Sequence, residues 1–274
     1  MPTLTAPDGT QLVYDACEPV SPRAAILFLH GWSDHAGRWS GVAERLRDAG
    51  CAVYLLDQRG HGRSGGRRGH LSRFSQLLGD LQAFRRAVRR RRPELPQVLL
   101  GHSFGGLVAL RYLETQPSDA LAAAVVSSPW LALATPPPGW KLLLGRALAD
   151  LWPTLPIPAG IDAGTLSRDP AVNAAYEADR AVHGLATPGA WREIQWAQRA
   201  VTADAHRIDT PLLFLLGGED RLVDTQAARA FAAGLDAAVQ VQWYGEMYHE
   251  LLHDPQNEQV IGDILAFLAA RGVA

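Results

Sequence analysis

Short apolar runs recur along the chain at positions 24–29, 52–56, 97–100, 122–127, 212–216 and 239–244. Each is only a few residues long and bounded by turn residues, the pattern of a strand buried on both faces. Between them the apolar period lengthens to that of a helix over 41–49, 71–92, 105–114, 225–235 and 256–271. This alternation predicts an α/β fold with a mostly parallel central sheet flanked by helices. The start, 4–18, reads as a hairpin turned at Asp8-Gly9 and adds antiparallel edge strands.

Positions 130–205 break the rhythm. They hold five of the eight tryptophans (Trp130, Trp140, Trp152, Trp191 and Trp196) and a proline-rich start, with no buried-strand run. The expectation is one large domain, a core of 1–129 and 206–274, carrying 130–205 as an inserted helical cap above the strand ends. Above the strand ends of an enzyme such a cap would supply an apolar pocket and limit water. The tryptophans are expected to pack the cap onto the core. Leu131, Leu133, Leu142, Leu143, Leu144, Leu148 and Leu151 offer a surface for transient contact with a membrane or micelle, although core packing accounts for most of them equally well.

The chain has 274 residues, is 47% hydrophobic and carries a formal net charge of -2. That charge gives no electrostatic case for nucleic acid. The basic run from Arg85 to Arg92 closes a predicted helix before Pro93, where cations suit the negative end of the dipole. Cys17 and Cys51 sit in no metal-ligand spacing, so neither a zinc site nor a disulfide framework is expected. The N-terminus lacks the basic start and apolar stretch of a leader, and a cytoplasmic location follows as the expectation. No obligate protein partner is evident.

The chemistry starts at Gly101-His102-Ser103-Phe104-Gly105, placed directly after one predicted strand and opening a predicted helix. This is the setting of a nucleophile elbow, with glycines where the tight turn crowds any larger side chain. A serine needs a base to take its proton and a carboxylate to orient that base. Gly217-Gly218-Glu219-Asp220 follows the strand at 212–216 and offers Asp220 as the acid, with Glu219 as the alternative. Asp224 is expected to cap the next helix. His249 follows the strand at 239–244 at the position required of the base, while His253 is expected to pack or face outward. The oxyanion donors are expected to be the backbone N–H groups of Phe104 and of Trp32, which follows His30-Gly31 at an early strand end. His30 itself is expected to be structural. The glycine-rich 57–64 loop lacks the Gly-Lys-Ser/Thr of a nucleotide site.

Phe28-Leu29-His30-Gly31, Asp34-His35-Ala36-Gly37-Arg38-Trp39, Asp57-Gln58-Arg59-Gly60-His61-Gly62-Arg63-Ser64, Gly101 to Gly106, Gly217 to Asp220 and Tyr248-His249-Glu250 together resemble the monoacylglycerol lipase and lysophospholipase branch of the α/β-hydrolase family. The resemblance implies Ser103, Asp220 and His249 as nucleophile, acid and base, and Trp32 and Phe104 as oxyanion donors. It implies Asp34 and Arg38 at the polar end of an acyl-glycerol pocket, where a loop-stabilising ion pair is an equal reading. Trp130 is a further candidate for substrate contact. The implied reaction is hydrolysis of a single-chain lipid ester without cofactor or metal. Thioesterase, aminopeptidase and non-catalytic readings share the fold. An aminopeptidase needs cap carboxylates to hold an amine, for which Glu177, Asp179 and Glu193 are the candidates.

Overall fold

The computed structural model of the chain describes residues 2–115 and 121–273. Strands β1 (Thr3–Thr5) and β2 (Gln11–Cys17) form the antiparallel hairpin, turned where Gly9 takes a φ of 86°. There follow β3 (Ala24–Leu29), α1 (Ser40–Asp48), β4 (Cys51–Asp57), α2 (Phe74–Arg91), β5 (Gln97–His102), α3 (Phe104–Thr115) and β6 (Ala123–Ser127). Next come α4 (Gly139–Leu151), β7 (Ile157–Pro158), α5 (Pro170–Ala178), β8 (Leu185–Ala186) and α6 (Pro188–Ala203). The chain then returns through β9 (Leu212–Gly217), α7 (Thr225–Ala233), β10 (Val239–Tyr244) and α8 (Asn257–Ala269).

The main sheet has the order β1-β2-β4-β3-β5-β6-β9-β10, antiparallel among β1, β2 and β4 and parallel beyond. Its central strands read as unbroken apolar runs because both faces are covered. In β3, Ala25, Leu27 and Leu29 join the layer containing α2 and α3, while Ala24, Ile26 and Phe28 join the layer containing α1 and α8. Each such Leu or Phe, fully buried, stabilises by about 1.5–3 kcal/mol. β10 departs from the expected buried strand. It is an edge strand with β9 as its neighbour, and Gln240, Val241 and Trp243 are exposed.

Registers set the site. Leu29 pairs with Gly101, and Gly217 with Tyr244, so the loops after β3 and β5 lie together, as do the loops after β9 and β10. A Cβ on Gly218 would sit 2.3 Å from the Gly245 carbonyl oxygen, a contact that only glycine allows.

The 130–205 segment packs over these strand ends. Asp169 and Thr187 cap α5 and α6, each followed by a proline at the first helical position. Its tryptophans do not all pack inward as expected. Trp130 and Trp191 line a cavity, whereas Trp140, Trp152 and Trp196 are exposed. The physical reason on α4 is that this helix lies against α6 and buries only Ala149, so among the described residues its outer side has nothing to pack on. Among the described residues no helix is long and apolar enough to cross a membrane.

Candidate active site

Ser103 stands between β5 and α3 with φ at 53°, a left-handed conformation that costs a non-glycine residue energy and turns its side chain out of the strand. The turn closes because its neighbours have no side chains. A Cβ on Gly105 would lie 2.2 Å from Leu29 O, and one on Gly101 2.4 Å from Gly105 O. Backbone bonds fix it from three sides: Ser103 N–H donates to Ser127 O at 2.9 Å, and Ser103 O accepts from Leu107 N at 3.1 Å and Trp130 N at 3.0 Å.

The loops after β9 and β10 bring Asp220 to His249, with Asp220 Oδ2 2.7 Å from Nδ1. Asp220 Oδ1 accepts from the N–H groups of Leu222 (2.9 Å) and Val223 (3.0 Å), so the carboxylate is fully partnered although its side chain is buried. Burial by itself raises the Asp220 pKa, but His249 and the two N–H groups outweigh it and hold it below the ordinary aspartate value. Burial likewise depresses the His249 imidazole, and the charge and hydrogen bond of Asp220, with Glu250 and Asp34 behind, carry it above the ordinary value. A proton on Nδ1, donated to Asp220, leaves Nε2 as an acceptor. Glu219 is exposed, and Asp224 caps α7 through a 2.9 Å bond from Ala227 N.

Gly31 lies directly beside Ser103, where an added Cβ would be 3.5 Å from Ser103 Cβ. Among the described residues, neither Trp32 N–H nor Phe104 N–H has an acceptor. The Phe104 group is free because it opens α3. The Trp32 indole stands edge-on to Phe104 at 5.0 Å and donates from Nε1 to Leu185 O at 3.0 Å, joining this turn to β8. His30 is buried and bonded on both nitrogens, to Gly31 O and from Gln58 N, and burial depresses its pKa. The glycine-rich 57–64 loop wraps Asp57, which accepts from Ala36 N and Arg63 N.

Ser103 and His249 line one cavity of about 320 Å³, though Ser103 makes no side-chain hydrogen bond among the described residues. Trp130, Trp191, Ile161, Ile194, Leu166 and Val223 make most of its wall apolar. Its polar end holds Asp34, Glu250 and Tyr176. Arg38 stands one layer back and grips Glu250 in a two-pronged pair (2.9 and 2.8 Å) while also bonding Asp34 at 3.0 Å. Trp39 Nε1 donates to Asp34 at 2.7 Å, and His253 Nδ1 lies 2.7 Å from Glu250. Burial opposes ionisation of both carboxylates, yet Arg38 holds Asp34 and Glu250 below their ordinary values. The same burial, with Asp34 nearby, pushes the Tyr176 phenol up. Asp34 and Arg38 thus form an ion pair whose acid faces the cavity and whose base does not. Trp130 lies in the wall.

Sequence reasoning missed Glu250 and Tyr176 as parts of this end. A carboxylate adjoining a candidate base is a usable signal for the first; Tyr176 had none, since its placement depends on how α5 docks. The cap carboxylates weighed for amine binding lie elsewhere. Asp179 pairs with His35 at 2.8 Å, Glu193 accepts from Phe74 N at 2.8 Å, and Glu177 is exposed. His253 packs, its ring 4.3 Å from Trp39.

Comparison with known proteins gives concordant results. A family profile described as serine aminopeptidase, S33 (Hydrolase_4) matches residues 20–256. A monoacylglycerol lipase of Mycolicibacterium smegmatis is 33% identical over 265 residues, covering 96% of this chain and 94% of the relative. Phospholipase YtpA of Bacillus subtilis is 28% identical, covering 90% and 95%. The crystal structure of the Paleococcus ferrophilus monoacylglycerol lipase superposes with a TM-score of 0.86 at 29% identity, covering 95% of this chain and 99% of that one.

Proposed function

Because the chain belongs to the Hydrolase_4 family, described as serine aminopeptidase, S33, we propose that Ser103, His249 and Asp220 form its catalytic triad, within a core of 1–129 and 206–274 capped by 130–205. The chain is a carboxylic ester hydrolase acting on monoacylglycerols. The observation that carries the site assignment is the His249–Asp220 bond at the mouth of a cavity into which a strained serine projects.

His249 Nε2 takes the proton of Ser103 as Oγ bonds to the ester carbonyl carbon, and the carbonyl π pair moves onto oxygen. The N–H groups of Trp32 and Phe104 hold that oxyanion, each such donor being worth roughly 10²–10³ in rate. Collapse expels the glycerol oxygen, which takes the proton from His249 and leaves an acyl-enzyme. A water deprotonated by His249 then attacks the acyl carbon, and collapse breaks the bond to Ser103 Oγ, which takes the proton back from His249 as the fatty acid departs. The apolar wall takes the chain, and Asp34 and Glu250 accept hydrogen bonds from the glycerol hydroxyls. The acyl chain enters past an exposed α4, whose apolar side makes transient contact with a membrane or micelle. Both cysteines are free thiols, which suits a reducing cytoplasm.

The ester reading is favoured over the aminopeptidase reading because Glu177, Asp179 and Glu193 do not line the cavity. The test is hydrolysis of a monoacylglycerol and p-nitrophenyl ester series by the wild type and Ser103→Ala, with fluorophosphonate labelling of both. Turnover and labelling lost together in Ser103→Ala support the assignment. Labelled wild type that cleaves aminoacyl amides or thioesters but no ester overturns it.

A further inference from the structure

On the outer side of the cap, α4 and α6 enclose a second groove that the reaction does not use. Its walls carry Arg146 from α4 and Arg192 and Arg199 from α6, with Trp191 and Gln195 between them. Arg192 is engaged by Asp150 at 2.9 Å and by Ala149 O at 3.2 Å. Among the described residues no carboxylate pairs with Arg146 or Arg199, so the groove holds more positive charge than its one acid balances. Guanidinium groups converging on a concavity match a phosphate, whose oxygens accept their paired N–H donors.

The neighbouring surface says where that phosphate comes from. At 100° per residue Trp140, Leu143, Leu144, Ala147 and Leu151 fall within an arc of about 100° on α4, and all five are exposed. Lys141 flanks this stripe on one side and Arg146 on the other, the arrangement of a helix lying in the plane of a bilayer interface, with leucines and tryptophan among acyl chains and cations at headgroup depth. A soluble phosphate compound has no use for the apolar stripe beside it.

We propose that the groove formed by Arg146, Arg192 and Arg199 binds the phosphate of an anionic phospholipid while the apolar stripe of α4 enters the bilayer, docking the cap on negatively charged membranes. The proposal rests on the membrane contact proposed above and adds lipid charge selectivity to it. Trp191 gives it a functional consequence, because this indole lines both the groove and the catalytic cavity. Trp191 is therefore a wall common to the groove and the cavity, and docking sets the cavity close to membrane-borne substrate.

The experiment measures flotation of the whole chain with vesicles of phosphatidylcholine alone and of phosphatidylcholine mixed with phosphatidylglycerol. The wild type is expected to bind the mixed vesicles more tightly, and the excess to vanish in high salt. Arg146→Gln with Arg199→Gln is expected to lose about fivefold per charge removed on the mixed vesicles, with no change on phosphatidylcholine and unaltered turnover of a short soluble ester. Leu143→Ser with Leu151→Ser is expected to weaken binding to both vesicles, which tests the membrane contact separately. Equal binding of the wild type to the two vesicles, or an arginine variant that keeps the full excess, overturns the anionic-lipid site even where the leucine variant shows membrane contact. Displacement from the mixed vesicles by inorganic phosphate beyond that by chloride of equal ionic strength, absent in the double arginine variant, supports a phosphate in the groove. Inorganic phosphate bound by the wild type in solution, with equal binding to the two vesicles, assigns the groove to a small anion and overturns the lipid.

Discussion

The two walls of the cavity are built on opposite principles. On the core side the polar side chains around His249 are held by directed bonds: Asp220 holds three hydrogen bonds, His30 is bonded on both nitrogens, and Arg38 binds two carboxylates. On the cap side the wall is mostly apolar, and α4 buries only Ala149. A buried, fully partnered network has one low-energy arrangement, because any displacement strands a polar group. An apolar wall has many, since its contacts are non-directional. The core wall therefore suits chemistry that needs fixed geometry, and the cap wall suits selection among chains that differ only in length.

The sharpest way to break this contrast is at the core. Asp220→Asn keeps the shape but removes the charge that sets the His249 tautomer, and kcat is expected to fall about 10⁴-fold. In the proposed reaction His249 is neutral when it accepts the Ser103 proton, so activity is expected to be lost as pH falls through its pKa, which Asp220 holds above the ordinary imidazole value. In Asp220→Asn this acid limb moves to lower pH as the plateau drops. A pH–rate profile of kcat/KM for both proteins checks it; an unmoved limb assigns the ionisation to another group.

Next in size is the network behind the polar end. Arg38→Ala leaves Asp34 and Glu250 buried without their cation, at an expected cost of about 3–5 kcal/mol in urea unfolding. Both carboxylates have depressed pKa values when folded, so their contribution is present above the unfolded carboxylate range and lost as pH falls through the folded values. The variant should therefore lose less stability than the wild type between neutral and acid pH. Equal acid losses in the two proteins would mean that Arg38 does not hold these acids ionised.

The cap wall responds differently. Ile194→Trp fills part of the acyl space, and kcat/KM for long-chain esters is expected to fall about 10- to 100-fold with short-chain esters nearly unchanged. A uniform loss across the series would place the chain elsewhere.

The same contrast explains what could be read from the sequence. The core strands and the helices between them lay within a few residues of their observed positions, because burial on both sheet faces writes itself as unbroken apolar runs. Ser103, Asp220 and His249 stood out because each follows such a run at a strand end, and parallel registers carry those ends to one edge. The edge position of β10 was not legible, since Val-Gln-Val-Gln-Trp-Tyr looks alike at an edge or within. Nor were Glu250 and Tyr176, whose meeting depends on a helix docking from far along the chain. The tryptophans misled for a related reason. Composition reports that a side chain is apolar but not whether anything lies opposite it, and among the described residues α4 has no neighbour on its outer side.

The smallest effect concerns a join between the two walls at the turn after β3. Trp32 Nε1 bonds Leu185 O across the cavity edge, His70 lies 3.0 Å from Thr187 Oγ1, and a Cβ on Gly69 would clash with Leu185 at 2.7 Å, so the 185–187 stretch is seated on core loops as α4 is not. Trp32→Phe keeps an aromatic ring but deletes the donor, and the stranded carbonyl is expected to cost about 1 kcal/mol. That loss should appear locally, as faster amide hydrogen exchange around Leu185 and Ala186, with α4 unaffected and kcat on short esters changed by less than a factor of ten. Exchange that quickens over the whole 130–205 segment would mean that this single bond holds the cap as one body. Unchanged exchange at 185–186 would instead give the anchoring to Gly69 and His70, and leave the Trp32 side chain as packing for Phe104.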